Sequence, residues 1–278
     1  MTDLAEREWR LIRDEPRPGA IQMALEEIAV RTAHEDDLRT VRTYDWNPST
    51  LSLGYRQKAE SVDWEFCDDH GIDVTRRQTG GGGIYHDAHA DISYTIVAPA
   101  DDVPGDLMEC YALFCEPILD ALDRMGLDAD FASVPKSSVH GPSCYLRDVN
   151  PAHDIVVNTD GDGPSLKVSG NAQYRRKDAV IQHGSISYDL EPDRHLGVFA
   201  DHDVSTERFA ERVGSIRAAT GIDRTEAVDT LANALGEWCD ATDRDWRDDE
   251  LNAAETLADR KYANDRWVRD REQPTPRS

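Results

Sequence analysis

Apolar residues fall into two periods along this chain, and their alternation predicts the layout. In "PGAIQMALEEIAVRTA" Pro18-Gly19 opens a helix that carries Ile21, Leu25, Ile28 and Ala29 on one face. "LRTVRTYDW" and "STLSLGY" alternate as strands, with Asn47-Pro48 between them as a turn. A helix is expected around residues 58–70, then a strand at "IDVTRR" and another at "DISYTIVAP", where Ile92, Tyr94 and Ile96 share a face. Residues 105–126 give the longest amphipathic stretch, with Met108, Tyr111, Cys115, Ile118, Leu122 and Met125 recurring every three or four positions. "SSVHGPSCYLRDVNPAH" reads as loop. "DIVVN", "LKVSG" and "DAVIQHGSISYDL" read as strands, and Thr159–Ser165 as a flexible hairpin tip between the first two. Beyond residue 205 the pattern is helical, through "STERFAERV", "TEAVDTLANALGEWC" and "RDDELNAAETLADRKYA", to a frayed "REQPTPRS". Strands and helices mix without strict βαβ alternation. The expectation is an α+β fold, a mixed sheet flanked by helices, in a single domain over 1–278 with a core at about 35–225 and a helical layer over 205–270.

Composition narrows the partners. The 278 residues carry a formal net charge of -24, and acidic residues are spread along the whole chain. Such a surface repels nucleic acid and anionic membranes, so neither is expected as a partner. Acid-rich, lysine-poor composition also resembles proteins of salt-loving microbes. Only Lys58, Lys136, Lys167, Lys177 and Lys261 are lysines, which makes each one informative. Five scattered cysteines include no CxxC pair, so neither zinc nor a disulfide framework is suggested. A charged N-terminus and the lack of a long apolar run point to the cytoplasm.

The chemistry concentrates in two places. "RRQTGGGGIYHD" puts Gly80, Gly81, Gly82 and Gly83 directly after a strand. It is neither a Walker A loop nor GxGxxG. Successive amides without side chains can form a nest for an anion, with Arg76 and Arg77 at its mouth. The alternative for the same residues is a wide turn. In "LKVSGNAQYRRKDAVIQHGSISYD", Lys167 lies on one strand, followed by Ser169-Gly170, and His183-Gly184-Ser185 lies on the next.

Together these segments resemble the RRxSGGGxVxHD and K(I/V)(S/A)GxAQxRxKxxxxxHG(S/T)I signatures of lipoate–protein ligases and octanoyl or lipoyl transferases. "EWRLIRDEPRPGAIQMALEEIAV", "RTYDWNPSTLSLGYRQ" and "ETLADRKYANDRWVRDR" extend the resemblance over about residues 9–270. The likeness implies a fold related to the biotin–protein ligase catalytic domain. It implies that the glycine run lies along the acyl chain and phosphate of an acyl-adenylate, with the ligand where a Cβ would be. Arg77 would meet the nucleotide, Gln78 and Ile84 would line the pocket, and Gly83, Ile84, Tyr85 and His86 would wrap the adenosine. Lys167 would be catalytic. Ser169, Gly170, Asn171 and Ala172, with His183, Gly184 and Ser185, would wall the acyl carbonyl. Asp154 would hold Mg²⁺ or a nucleotide group, though His153 replaces the family's Asn.

The implied activity is ATP-dependent activation of lipoate or octanoate and transfer to a lysine of a lipoyl-carrier domain. The carrier would be the E2 lipoyl domain of a 2-oxoacid dehydrogenase or the glycine cleavage H protein, with a separate small accessory ligase subunit as a possible helper. Cys144 supports an alternative. It precedes the "DIVV" strand near the place of the nucleophile in the cysteine-dependent transferases, with Lys167 placed to activate it. Its spacing of 23 residues to Lys167 is longer than that branch usually has. A non-catalytic acyl- or nucleotide-binding protein and a biotin ligase are the remaining readings.

Overall fold

A computed structural model describes residues 4–149, 153–158 and 164–273. The hairpin tip at Thr159–Ser165 falls largely outside the described residues, as does most of "REQPTPRS". Eleven strands form among the described residues: β1 (Trp9–Arg13), β2 (Arg39–Tyr44), β3 (Thr50–Leu53), β4 (Asp73–Arg76), β5 (Ile84–His86), β6 (Asp91–Pro99), β7 (Ala129–Phe131), β8 (Ile155–Val157), β9 (Leu166–Arg175), β10 (Ala179–Ser187) and β11 (Thr242–Asp243). The helices that matter here are α1 (Gly19–Glu35), α2 (Trp64–Asp69), α3 (Leu107–Arg124), α4 (Pro192–Gly197), α5 (Thr206–Ala210), α6 (Ile216–Thr220), α7 (Arg224–Cys239), α8 (Asp248–Leu257) and α9 (Asp265–Val268).

Eight strands make one mixed sheet in the order β11-β1-β2-β6-β10-β9-β8-β7, and β4-β3-β5 form a separate small sheet. Alternation along the large sheet supplies two apolar faces. Leu11, Val41, Ile96 and Val180 pack against Phe114, Ile118 and Leu122 of α3 and Leu231 and Leu235 of α7. Ile12, Val97 and Ile181 face Met23, Leu25 and Ile28 of α1, which Ala254 and Leu257 of α8 cover in turn. This is the mixed sheet flanked by helices that the residue pattern implies.

The differences have local causes. The stretch around 58–70 is not one helix. A 3-10 turn at Ala59–Ser61 gives way to Val62, which bridges Phe199, and Asp63 then caps α2 through Phe66 N at 2.9 Å. The strands on either side of Asn47-Pro48 enter different sheets instead of pairing. On α3, Met108 is exposed with Leu107, whereas Cys110 and Phe114 are fully buried. β1 escapes the alternation test because Arg10 is buried within it, held in a fork by Glu250 of α8 at 2.7 Å for both contacts.

Candidate active site

The two sheets face each other across a cavity of about 400 Å³. Met23, Tyr44, Trp46 and Ile84 give it an apolar lining, and Cys144, Asp154, Lys167 and Gly170 line it as well. Strand alternation decides who enters it. Ile84 and His86 of β5 point in, while Tyr85 points away, donating its hydroxyl to Asp87 at 2.8 Å and packing beside Leu51 and Phe199.

Lys167 is 2 % exposed and sits at a bulge where Ile155 pairs with Ser169 but Val156 with Lys167. The extra residue sends Val168 into the core with α3 and leaves Lys167 on the side of Gly170, facing the cavity. Its backbone is tied by Lys167 N to Arg212 O at 2.9 Å and by Gly214 N to Lys167 O at 3.0 Å. The ammonium lies 2.8 Å from Asp154 Oδ1, donates to Cys144 O at 2.9 Å, and stands 3.8 Å from Cys144 Sγ. Burial alone would lower the lysine pKa, but Cys144 and Asp154 outweigh it and the pKa is raised. The group is therefore a fixed cation. Gly170 makes the approach possible: a Cβ there would lie 3.0 Å from Cys144 Sγ and 3.6 Å from Lys167 Nζ.

The glycine run does something other than the sequence suggests. Gly83 N donates to Pro142 O at 2.7 Å, and Cys144 N donates to Gly83 O at 2.8 Å. A Cβ on Gly82 would lie 2.8 Å from Pro142 O and 2.9 Å from Cys144 N. It is therefore the chain's own Cys144 loop, rather than a ligand, that excludes side chains at Gly82. Gly81 needs glycine for its φ of +97°, and only Gly80 faces open space. Gly80 and Gly81 line the cavity, whereas Gly82 and Gly83 do not.

Arg77 holds this loop from within. It is 2 % exposed and donates to Thr79 Oγ1 at 3.0 Å, Ser52 O at 2.7 Å, Gly80 O at 2.8 Å and Gly82 O at 2.7 Å. Arg77 lines the cavity as expected of a nucleotide-side residue, but its N–H donors are spent on carbonyls and hydroxyls, which leaves none over for a phosphate. Arg76 points elsewhere again, to Val268 O at 2.8 Å and to the carbonyls of Gly54 and Gln57. Gln78 is turned toward Tyr262 and Glu27, at 2.9 and 3.2 Å, out of the acyl cavity.

The β9–β10 wall is present as expected. Gly170, Asn171 and Ala172 line the cavity with His183, Gly184 and Ser185. Ser169 is buried beneath it, 3.4 Å from Asn171 Oδ1. Asn171 also accepts from the Tyr94 hydroxyl and donates to His153 O at 2.8 Å. Ser185 donates to Asp91, which also meets His86 Nδ1 at 3.0 Å. Burial, only partly opposed by Asp91, lowers the His86 pKa, so the ring stays neutral.

Glu26 is the residue that the sequence pattern misses. It lies on the buried face of α1 and accepts from His183 Nδ1 at 2.9 Å, from Tyr44 OH at 3.0 Å and from Thr95 Oγ1 at 3.1 Å. His183 Nε2 in turn meets Thr79 Oγ1 at 2.7 Å. Burial would raise the Glu26 pKa, yet His183 and Arg42 hold it low, so the carboxylate is charged. The signal was available: a glutamate three residues after Met23 on an apolar stripe. Tyr111, Trp46 and Arg147, which also line the cavity, carry no such signal.

Asp154 gives its Oδ1 to Lys167 at 2.8 Å, and no group of three or more His, Cys, Asp or Glu able to hold a metal exists among the described residues, so a Mg²⁺ at Asp154 would draw its other ligands from nucleotide phosphates and water.

The lipoyl protein ligase A/B catalytic domain model matches residues 18–236. The chain belongs to this family. It is 35 % identical over 214 residues to the octanoyltransferase LipM of Halalkalibacterium halodurans, covering 74 % of each chain. Against LipM of Bacillus subtilis identity is 30 % over 279 residues, covering 93 % of this chain and 97 % of that one. The bi-partite lipoate protein ligase of Thermoplasma acidophilum shares the fold, with a TM-score of 0.79 at 22 % identity over 97 % of this chain and 99 % of the other. Lipoate-protein ligase A bound with ATP superimposes with a TM-score of 0.74 at 26 % identity, over 94 % and 98 % of the two chains. The chain is thus an enzyme of lipoyl and octanoyl attachment. Among the described residues no helix is long and apolar enough to cross a membrane.

Proposed function

We propose that this protein is a cysteine-dependent octanoyltransferase that carries its acyl group on Cys144 and passes it to a lysine of a lipoyl-carrier domain. The observation that carries the reading is the 3.8 Å approach of the buried Lys167 ammonium to Cys144 Sγ across the side-chain-free Gly170. Cys144 is also half-buried on the cavity wall while Cys67, Cys110, Cys115 and Cys239 are buried in the core. That the 35 % identical relative is an octanoyltransferase supports it further.

In this reading the Cys144 thiolate attacks the carbonyl of an octanoyl thioester. A C–S bond forms, the carbonyl π pair moves to oxygen, and the oxyanion collapses to expel the donor thiolate, which takes a proton from water. Lys167 stabilises the anionic sulfur and then the oxyanion, as a cation that need not reorganise. The neutral amine of the acceptor lysine next attacks the Cys144 thioester. The amide forms, the C–S bond breaks, and the ammonium proton passes to the leaving sulfur. Met23, Tyr44, Trp46 and Ile84 give an eight-carbon chain apolar walls.

ATP-dependent ligation, favoured by the sequence motifs, is the second reading. The 26 % identity to lipoate-protein ligase A supports it, and Lys167 would serve either chemistry. Intact-mass analysis after incubation with an octanoyl thioester separates the two. We expect one octanoyl adduct, lost in Cys144→Ala, and no pyrophosphate exchange with ATP and octanoate. Exchange that survives Cys144→Ala, with no adduct on the wild type, would make the ligase correct.

A further inference from the structure

Arg77 is a buried cation without a direct counter-ion. Among the described residues no carboxylate lies within ion-pair distance of it, whereas the buried Arg10, Arg39 and Arg42 each meet one. Its charge is balanced through two matched relays instead. In the first, Glu26 accepts from His183 Nδ1 at 2.9 Å, His183 Nε2 lies 2.7 Å from Thr79 Oγ1, and Thr79 Oγ1 accepts from Arg77 Nε at 3.0 Å. In the second, Asp91 lies 3.0 Å from His86 Nδ1, His86 Nε2 lies 2.9 Å from Ser52 Oγ, and Ser52 Oγ accepts from Arg77 Nη1 at 3.3 Å. All of these side chains are buried. The order of the first relay is forced. A carboxylate only accepts and a guanidinium only donates. Thr79 Oγ1 has Arg77 Nε and His183 Nε2 as its partners among the described residues, so its own proton goes to Nε2 and the imidazole proton sits on Nδ1. A buried network paired in one way only rigidifies what it holds. What it holds is the Arg77 fork on Gly80 O and Gly82 O, and Gly82 lies against Pro142 O and Cys144 N. A carboxylate in direct contact would draw that fork off the glycine carbonyls. Set back behind an imidazole and a hydroxyl, it balances the charge and leaves the fork in place. Burial lowers the Arg77 pKa, opposed first by Cys144 and then by Glu26, so the guanidinium feels both the sulfur and the far end of the relay.

We propose that Glu26 and Asp91 are positioning residues for Cys144: through His183–Thr79 and His86–Ser52 they orient Arg77 on the glycine loop, and so set the sulfur against Lys167. This rests on the transferase reading for the role of Cys144 and adds to it the residues that place the nucleophile. Neither carboxylate touches the reacting atoms. Each acts through an imidazole, a hydroxyl and the one guanidinium on which both relays converge.

The Glu26 relay is the one to test, because Asp91 also holds Ser93 and Ser185. The readout is the single-turnover acylation of Cys144 by an octanoyl thioester, followed by intact mass. Misplacement by ~1 Å can cost about 100-fold in rate, so a partial shift in Glu26→Gln or Thr79→Val should slow acylation at saturating donor by about ten-fold. The loss should fall on kcat and leave KM little changed. Both substitutions cut the same relay, so the double variant should be no slower than the slower single one, whereas independent effects would multiply to about 100-fold and overturn the proposal. Single variants as fast as wild type overturn it too. Thr95→Val removes a hydrogen bond to Glu26 that leads away from the loop, and it should lose stability while acylating like the wild type. If it slows acylation as much as Glu26→Gln does, Glu26 acts by packing and the relay is refuted. The tautomer needs no variant: the ¹⁵N resonances of His183 should show the proton on Nδ1, and a proton on Nε2 alone would break the order of donors. If the wild type forms no acyl adduct, the transferase reading falls by itself. The same cycle read on alkylation of Cys144 by iodoacetamide then decides the relay, with coupled changes keeping it and independent ones overturning it.

Discussion

Gly82→Ala tests whether the glycine run serves the Cys144 loop. The added Cβ would lie 2.8 Å from Pro142 O, 2.9 Å from Cys144 N and 3.0 Å from Ser143 C, all backbone atoms that no rotamer change can move aside. Ordinary contact begins at 3.4 Å, so the loop must recede by about half an ångström. Overpacking of this kind costs about 1–3 kcal/mol. At ~2 kcal/mol the melting temperature should drop by roughly 4–8 °C for a chain of this size. The nucleophile moves with its loop, and misplacement by ~1 Å can cost about 100-fold in rate. Gly80→Ala is the internal contrast, because a Cβ there meets nothing within 4 Å. Thermal unfolding gives the stability term. The alkylation rate of Cys144, read by peptide mass, gives the positional one, and the burial of the other four cysteines keeps that signal clean. Equal stability and equal alkylation rates in the two alanine variants would refute the assignment of the run to loop packing.

Three further outcomes follow from the same geometry. The Glu250 carboxyl is buried, which would raise its pKa, but the Arg10 fork and the Arg247 amide pull it from 4.5 to about 2, worth ~3 kcal/mol. Because the folded value is the lower one, this stability is present above about pH 4.5 and is lost as pH falls toward 2, and urea unfolding of Glu250→Gln should lack that acid limb. Arg77→Lys cannot meet Thr79, Ser52, Gly80 and Gly82 together; one or two buried carbonyls left unpaired should cost about 2–5 kcal/mol by urea unfolding, and a loss under 0.5 kcal/mol would contradict its role. With a net charge of -24, the unfolding temperature should rise with KCl up to molar concentration, and a flat response would show that self-repulsion is unimportant.

Much of the frame was readable because it is local. The period of α1, the alternation of β6 and β10, and the Lys167–Gly170 and His183–Ser185 steps are properties of short windows. What was not readable depends on distant partners. Arg10 interrupts the apolar pattern of β1, and the Glu250 that pairs with it lies 240 positions later. Arg76 and Arg77 are adjacent basic residues and look like an anion clamp. Only the fold shows that their donors turn inward to carbonyls of different segments. The Gly82 constraint comes from Pro142–Cys144, which no window around the glycines contains.

The hold of Asp154 on Lys167 also bears on self-acylation. With an octanoyl group on Cys144, the nearest amine to the thioester carbonyl is the enzyme's own, and an amine must be neutral to attack. Acylation removes the Cys144 charge, the larger of the two influences that raise the lysine pKa, and leaves Asp154 at 2.8 Å to favour the protonated form; in the transferase reading that carboxylate is what keeps the acyl group for a foreign lysine. An Asp154→Asn enzyme should slowly label itself at Lys167, a dead-end amide visible as a mass increment that hydroxylamine does not remove.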